Sequence, residues 1–321
     1  MYKNLDKIDY KILQYLDFNA RIPLTQLSKQ LKISKKSVEY RIQSLEKQNI
    51  LQGYYAVVDI FKLGYTYCRI FMTLNGISKH DTEEIIRYLQ NHNKVLWLFE
   101  VQGKYDFGIV PLVKTHQEFK EFILELRSKF GHSIKNIMED ITTKLYTTEY
   151  SYLEEYKKQN ILIYEDTNKE EIDKIDTQIL RLLAPNARIS LVELGYALNQ
   201  SPKTISYRIK QLEKKKIIQS YRIITNKAKL NLTYYKILMN LNSYTKKDYE
   251  KIKNYLLSHK NVIYVVEAIG LPFDLDFELL VKSNEELYHL IEELRYTFPK
   301  LIGEYEIIHG LKELKTNFFP F

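Results

Sequence analysis

Apolar residues recur with a helical spacing at two places in the chain that lie 167 residues apart. Between Ser34 and Lys47 they fall at Val38, Ile42 and Leu45, and between Ser201 and Lys214 at Ile205, Ile209 and Leu212, the i, i+4, i+7 pattern of a short helix with one buried stripe. Ser34 and Ser201 are the expected N-caps, and Pro202 takes the first helical position, where its missing N–H costs nothing. The opposite face carries Lys36, Tyr40, Gln43 and Lys47 in the first helix and Lys203, Tyr207, Lys210 and Lys214 in the second. Ahead of the first helix the pattern predicts a capped helix from Asp6 to about residue 16, with Asp9 three residues after the cap. A second helix follows over about 24–31, and then a tight turn at Lys32-Ile33. Helix, helix, turn, helix is the order in which the last helix enters the major groove and the one before it crosses the backbone.

At a shift of 167, 25 of the 49 residues from 6 to 54 are identical to their partners, including Asn19-Ala20-Arg21-Ile22 against Asn186-Ala187-Arg188-Ile189. The chain therefore holds one module twice. Beyond Tyr54 the period turns from helical to extended. Residues 67–74, 95–101, 105–110 and 134–146 read as strands, with helices at 80–91 and 117–130 between them. The second copy repeats this with strands at 236–241, 262–268, 275–281 and 302–309 and helices at 246–258 and 284–298. Strand, helix, strand, strand, helix, strand is the ferredoxin-like order. Residues 148–168 are acidic and tyrosine-rich without a clear period. They are expected to be a linker with a short helix at 152–156.

Charge separates the two kinds of segment. Residues 1–60 and 169–228 together hold 22 basic and 12 acidic side chains, which leaves 26 basic and 28 acidic elsewhere. The surplus of positive charge thus belongs to the helix-turn-helix segments, as expected where a polyanion such as double-stranded DNA is the partner. Cys68 is the single cysteine, which excludes an internal disulfide framework or a multi-cysteine metal site. Neither a signal peptide nor an apolar run of membrane-spanning length is visible, so a cytoplasmic protein is expected, with no membrane partner. The seven histidines show no metal-binding spacing, and no glycine-rich phosphate loop occurs. No catalytic residue, metal or cofactor is expected.

The residues Leu5-Asp6-Lys7-Ile8-Asp9, Asn19 to Ile22, Leu31 to Glu46 and Ile50-Leu51-Gln52-Gly53-Tyr54, and their second copy from Ile172 to Tyr221, resemble the leucine-responsive regulatory protein/AsnC family of feast/famine regulators. That resemblance implies an α+β chain in which two winged helix-turn-helix domains (1–60 and 169–228) alternate with two ferredoxin-like βαββαβ ligand-sensing domains (61–147 and 229–321), joined by the 148–168 linker. It implies a sequence-specific transcription regulator. One chain would supply what the family makes from two subunits, with the sensing sheets packed face to face and further homo-oligomers built on that pseudo-dimer.

The DNA-reading positions are then Lys35, Lys36, Ser37, Glu39, Tyr40, Arg41, Gln43 and Lys47 in the first helix, and Lys203, Thr204, Ser206, Tyr207, Arg208, Lys210 and Lys214 in the second. The family usually has a basic residue where Tyr40 and Tyr207 stand. Arg41 and Arg208 lie on the helix shoulder, where each has two readings, a phosphate contact or an internal pair with a carboxylate such as Asp9 or Asp176. Arg21 and Arg188 allow the same pair of readings, phosphate or structural salt bridge.

The hairpin residues Gly103, Tyr105, Asp106 and Gly270, Phe273, Asp274 stand where the family holds small effectors, often amino acids, and where a plain tight turn has the same composition. A branch of the same fold, the siroheme decarboxylases, offers an enzymatic alternative. Its His and Arg on the strand before the hairpin are replaced here by Leu96-Trp97-Leu98-Phe99-Glu100 and Ile263-Tyr264-Val265-Val266-Glu267. A DNA-coating protein without sequence preference is the third reading.

Overall fold

The computed structural model describes residues 5–319 apart from 77, 154–157, 159 and 166–168. The first helix-turn-helix comprises α1 (Lys7–Leu16), α2 (Leu24–Leu31) and α3 (Lys35–Lys47), followed by the wing strand β1 (Leu51–Val58). Its ends follow from local chemistry. Asp6 accepts from the Ile8 and Asp9 N–H groups while the Asp9 carboxylate accepts from the Asp6 N–H, and the turn between α2 and α3 is made by Lys32 in the left-handed region (φ 55°). The second copy has α6 (Lys174–Leu183), α7 (Leu191–Leu198), α8 (Pro202–Lys214) and the wing β7 (Ile218–Thr225), with Asn199 as the left-handed residue.

Each ferredoxin-like domain has the expected βαββαβ order. The first is β2 (Thr66–Leu74), α4 (Lys79–Asn91), β3 (Val95–Gln102), β4 (Phe107–Val113), α5 (His116–Phe130) and β5 (Ile134–Thr148). After the linker strand β6 (Ile161–Glu165) and the second helix-turn-helix come β8 (Thr233–Leu241), α9 (Lys246–Ser258), β9 (Val262–Ile269), β10 (Leu275–Val281), α10 (Asn284–Thr297) and β11 (Ile302–Thr316). Ile70, Leu98, Phe107, Phe122 and Leu126 fill the core between the first sheet and its helices; Ile237, Val265, Phe277, Ile291 and Leu294 do so in the second.

The sheets do more than face one another. Strand order runs β2-β4-β3-β11-β8-β10-β9-β5, and β5 returns to pair with β2, so eight strands from both domains close into one ring. The two fifteen-residue strands make the joints. β5 pairs first with β2 (Cys68 with Ile141) and then with β9 (Ile141 with Ile269), and β11 pairs first with β8 and then with β3 (Gly310 with Val101). The expected last strand, ending at 309, is thus seven residues short, and edge pairing adds to the expected face-to-face contact. Closure leaves no open edge between the two domains. Gly310 sits in one joint, where a Cβ would come within 2.2 Å of the Phe99 ring.

β1 and β7 pair antiparallel with each other, Leu51 with Thr225 and Val58 with Ile218, a register that maps onto itself under the 167-residue shift. The linker is also more ordered than its composition suggests. β6 pairs with β5, and upstream the Gln14 side chain holds the Tyr150 carbonyl and the Tyr152 N–H while Asp17 accepts from the Tyr150 N–H. Of the helix expected at 152–156, residues 154–156 lie outside the described residues; Tyr152 and Leu153 form a bend. Tyr150 and Tyr152 enter the core of the first helix-turn-helix, and at the other exit Phe319 enters that of the second. Each helix-turn-helix is thereby fastened to the barrel by the segment that follows its own ferredoxin-like domain.

Candidate nucleic-acid interface

Val38, Ile42 and Leu45 on α3, and Ile205, Ile209 and Leu212 on α8, are buried as their spacing predicts. The Ser34 hydroxyl accepts from the Ser37 N–H at 3.1 Å and the Ser201 hydroxyl from the Thr204 N–H at 3.0 Å, which fixes the N-terminus of each helix. Lys35, Lys36, Glu39, Gln43 and Lys47 are exposed on α3, as are Lys203, Lys210 and Lys214 on α8; Ser37, Thr204 and Ser206 are half-buried. Tyr40 and Tyr207 are 66 % and 63 % exposed, so neither ring belongs to a core. Each helix presents an aromatic ring with lysines before and after it, a surface suited to base edges and phosphates together.

The arginines are used differently. Arg41 pairs with Asp6 at 2.8 Å and Asp9 at 2.7 Å, and Arg208 with Asp173 at 2.8 Å and Asp176 at 2.9 Å, the second of their two readings. The Asp176 N–H, and then the Arg208 guanidinium, hold the Asp173 carboxyl below its ordinary pKa. These pairs tie each reading helix to the first helix of its own domain.

Among the described residues Arg21 and Arg188 make no carboxylate pair. Arg188 lies 3.9 Å over the Tyr54 ring and donates from Nε to the Ala20 carbonyl, while Arg21 lies 5.2 Å over the Tyr221 ring. Each reaches across the pseudo-twofold axis to a tyrosine of the other module. Those tyrosines in turn donate to Glu46 and Glu213 near the C-terminal ends of the reading helices, at 2.5 and 2.6 Å. The identity of Tyr54, Glu46 and their copies was visible in the repeat, but nothing in the spacing indicated this relay between domains.

The hairpin residues are largely committed to the fold. Gly103 and Gly270 have φ of 135° and 122°, where side chains are strained. Asp106 accepts from the Leu74 N–H at 2.7 Å and Asp274 from the Leu241 N–H at 2.8 Å, so each carboxylate secures a neighbouring strand rather than its own turn. Tyr105 is buried against Phe71, with its hydroxyl on the Met138 sulfur. Phe273 and Asp274, with Leu271, border a small cleft of about 130 Å³.

Inside the barrel lies a cavity of about 1070 Å³, lined by the inner faces of both sheets and by the wings β1 and β7. Its walls include Tyr55, Tyr67, Trp97, Phe99, Tyr164, Tyr234 and Tyr264. A buried ion network crosses it: Arg69 pairs with Asp140 of its own module and Asp276 of the other, and Lys236 pairs with Asp276 and Glu278. Burial raises the Asp140 carboxyl above its ordinary pKa against the pull of Arg69. His309 also lines the cavity, its ring stacked on Tyr235.

Two family descriptions match the reading segments, a winged helix-turn-helix DNA-binding domain over residues 5–52 and an AsnC-type helix-turn-helix domain over residues 172–213. The chain is 30% identical to regulatory protein AsnC of Haemophilus influenzae over 141 residues, which is 44% of this chain and 89% of that protein. It is 29% identical to the HTH-type transcriptional regulator LrpB of Bacillus subtilis over 151 residues, 45% of this chain and 99% of that one. Each relative is therefore matched along most of its own length by less than half of this chain. The crystal structure of the siroheme decarboxylase NirDL superposes on 97% of this chain and 93% of its own with a TM-score of 0.63 at 14% identity, a likeness of fold.

Proposed function

The chain belongs to the AsnC family of helix-turn-helix transcription regulators, and we propose that it reads double-stranded DNA as a covalent pseudo-dimer, with α3 and α8 entering successive major-groove half-sites. The observation that carries this reading is the pair of exposed faces Lys36-Tyr40-Gln43-Lys47 and Lys203-Tyr207-Lys210-Lys214, set on domains that hold all of the chain's surplus positive charge. In this reading Lys35, Lys36 and Lys203 meet phosphates, and Glu39, Tyr40, Gln43, Ser206, Tyr207 and Lys210 meet base edges. Arg41 and Arg208 act at one remove by holding the helices in place. Ser37 and Thr204 fix the helix starts, and Lys47 and Lys214 flank the groove.

The domain limits given above, a cytoplasmic location and further association of pseudo-dimers through their outer surfaces complete the proposal. No helix among the described residues is long and apolar enough to cross a membrane. An effector of amino-acid size would sit at the second hairpin, beside Leu271, Phe273 and Asp274.

The test is the salt dependence of binding. Each lost phosphate contact lowers the log–log slope by about 0.9. The Lys36→Ala/Lys203→Ala protein is therefore expected to bind more weakly, with a slope reduced by about 1.8. Unchanged affinity and slope would remove these helices from the groove. Competition with random DNA separates a regulator from a coat protein. The barrel cavity, with His309 in its wall, keeps an enzymatic reading in view. Bound tetrapyrrole absorbance or decarboxylase activity in the purified protein would favour that reading.

A further inference from the structure

In a homodimer the two halves of the central cavity are chemically identical. Here they are not. Under the 167-residue shift Tyr55 corresponds to Arg222, Arg69 to Lys236, Trp97 to Tyr264 and Phe99 to Val266. Arg222 introduces a buried cation, at 7% side-chain exposure, where its counterpart is a neutral ring. A charge placed in an aromatic wall is retained against a desolvation cost, which favours a wall with a use for it.

Arg222 is held in place from one side. Its Nε donates to the Asp17 carbonyl at 3.0 Å and one terminal nitrogen to the Asp17 carboxylate at 2.9 Å, leaving the other terminal nitrogen without a partner among the described residues. Tyr55 is its direct partner across the β1–β7 ladder. Tyr55, Tyr164 and Tyr264 also line this cavity, and their hydroxyls have no hydrogen-bond partner among the described residues. Burial raises the pKa of all three phenols, and Arg222 opposes the rise in each, which places its charge within electrostatic reach of the group. Tyr164 comes from the linker strand β6, so the covalent joining of the modules itself supplies part of this wall. The apolar part of the wall includes Trp97 and Phe99, stacked with ring centroids 4.9 Å apart.

We infer that the cavity binds one unsymmetrical organic acid per chain, its carboxylate on Arg222 and the tyrosine hydroxyls and its flat apolar body against Trp97 and Phe99. A volume of about 1070 Å³ accommodates a ligand well beyond the size of a free amino acid. The wings contribute Tyr55 and Arg222, so occupancy also bears on how the reading helices are held; that consequence alone rests on the DNA-binding proposal.

The test needs no DNA. The full chain is titrated calorimetrically with 8-anilinonaphthalene-1-sulfonate, an aromatic anion, and with N-phenyl-1-naphthylamine, its neutral counterpart. One anion per chain is expected. Arg222→Gln should weaken the anion at least about tenfold, as loss of a charge-assisted contact does, and leave the neutral probe within about twofold. Because Arg222 also anchors Asp17, the Tyr164→Phe/Tyr264→Phe protein, which keeps every ring, provides the second reading and should weaken the anion selectively as well. Absence of saturable binding, several equivalent sites per chain, or equal losses for both probes in the double tyrosine variant would overturn the inference.

Discussion

Replacing Arg69 by Met removes the cation that joins the two modules inside the barrel. Asp276 keeps Lys236 at 2.5 Å, but Asp140, whose side chain is 0% exposed, loses the partner that holds both of its oxygens. Breaking a buried pair from one side typically costs about 3–5 kcal/mol, because the remaining charge stays desolvated. For a 321-residue chain the unfolding entropy is about 0.7 kcal/mol per degree, so the midpoint should fall by roughly 4–7 °C if the chain unfolds in one step. The pH dependence is the sharper signature. Burial already raises the Asp140 pKa, and a raised carboxylate favours the fold at low pH and loses that contribution as pH rises through its folded value. Without Arg69 the value climbs further. The deficit should therefore be largest near pH 8 and shrink on acidification, by up to about 1.4 kcal/mol per pH unit for the one proton involved. Urea denaturation of both proteins at pH 8 and pH 5 measures this. A deficit below about 1 kcal/mol at pH 8, or one equally large at pH 5, would refute the assignment of the network as a charge-compensated joint.

Two further outcomes follow from other parts of the chain. Burial lowers the His259 pKa to about 4, so its neutral form stabilises the fold above the ordinary histidine value near 6.5, and this is lost as pH falls towards 4. His259→Gln should therefore reduce the acid loss of stability between pH 7 and 4 by up to about 3 kcal/mol, and identical pH profiles would contradict the burial argument. The reading helices differ at Glu39 against Ser206 and Gln43 against Lys210. Glu accepts from cytosine and repels phosphate, and Gln suits adenine where Lys suits guanine. Exchanging Glu39→Ser and Gln43→Lys together should make the preferred site more symmetric; an unchanged site profile would mean that the divergence carries no readout.

What was legible in the sequence was local. Caps, the apolar stripe and the strand–helix alternation placed α3, α8 and most strands and helices of the two βαββαβ units close to their observed limits, because those signals act within a few residues. The second half of β11 was not legible because Gly310 and the charges at Lys312, Glu313 and Lys315 break the apolar pattern, while in the fold that segment pairs with β3 of the other module. The linker strand was likewise hidden: Ile161-Leu162-Ile163-Tyr164 is an apolar run, but its partner strand belongs to a domain already complete by its own order. For Arg21 and Arg188 the residue type was visible and the partner was not, since Tyr221 and Tyr54 lie far away in the chain. The cavity left no period at all. Strands covered by helices on one face and closed over a largely aromatic chamber on the other are mostly apolar on both, and the few inward charges, Arg69, Lys236 and Glu278, are indistinguishable in the sequence from exposed ones.

The central claim is that one chain reads DNA with two unlike helices held by one barrel. Selecting bound fragments from random DNA with the purified full chain tests it most directly. The account predicts enrichment of an imperfect palindrome, its halves about one or two helical turns apart and tolerating different substitutions, with about 1–3 kcal/mol lost per mismatch at a directly read base. Recovery of no preferred sequence, or of a single unpaired half-site, would contradict it.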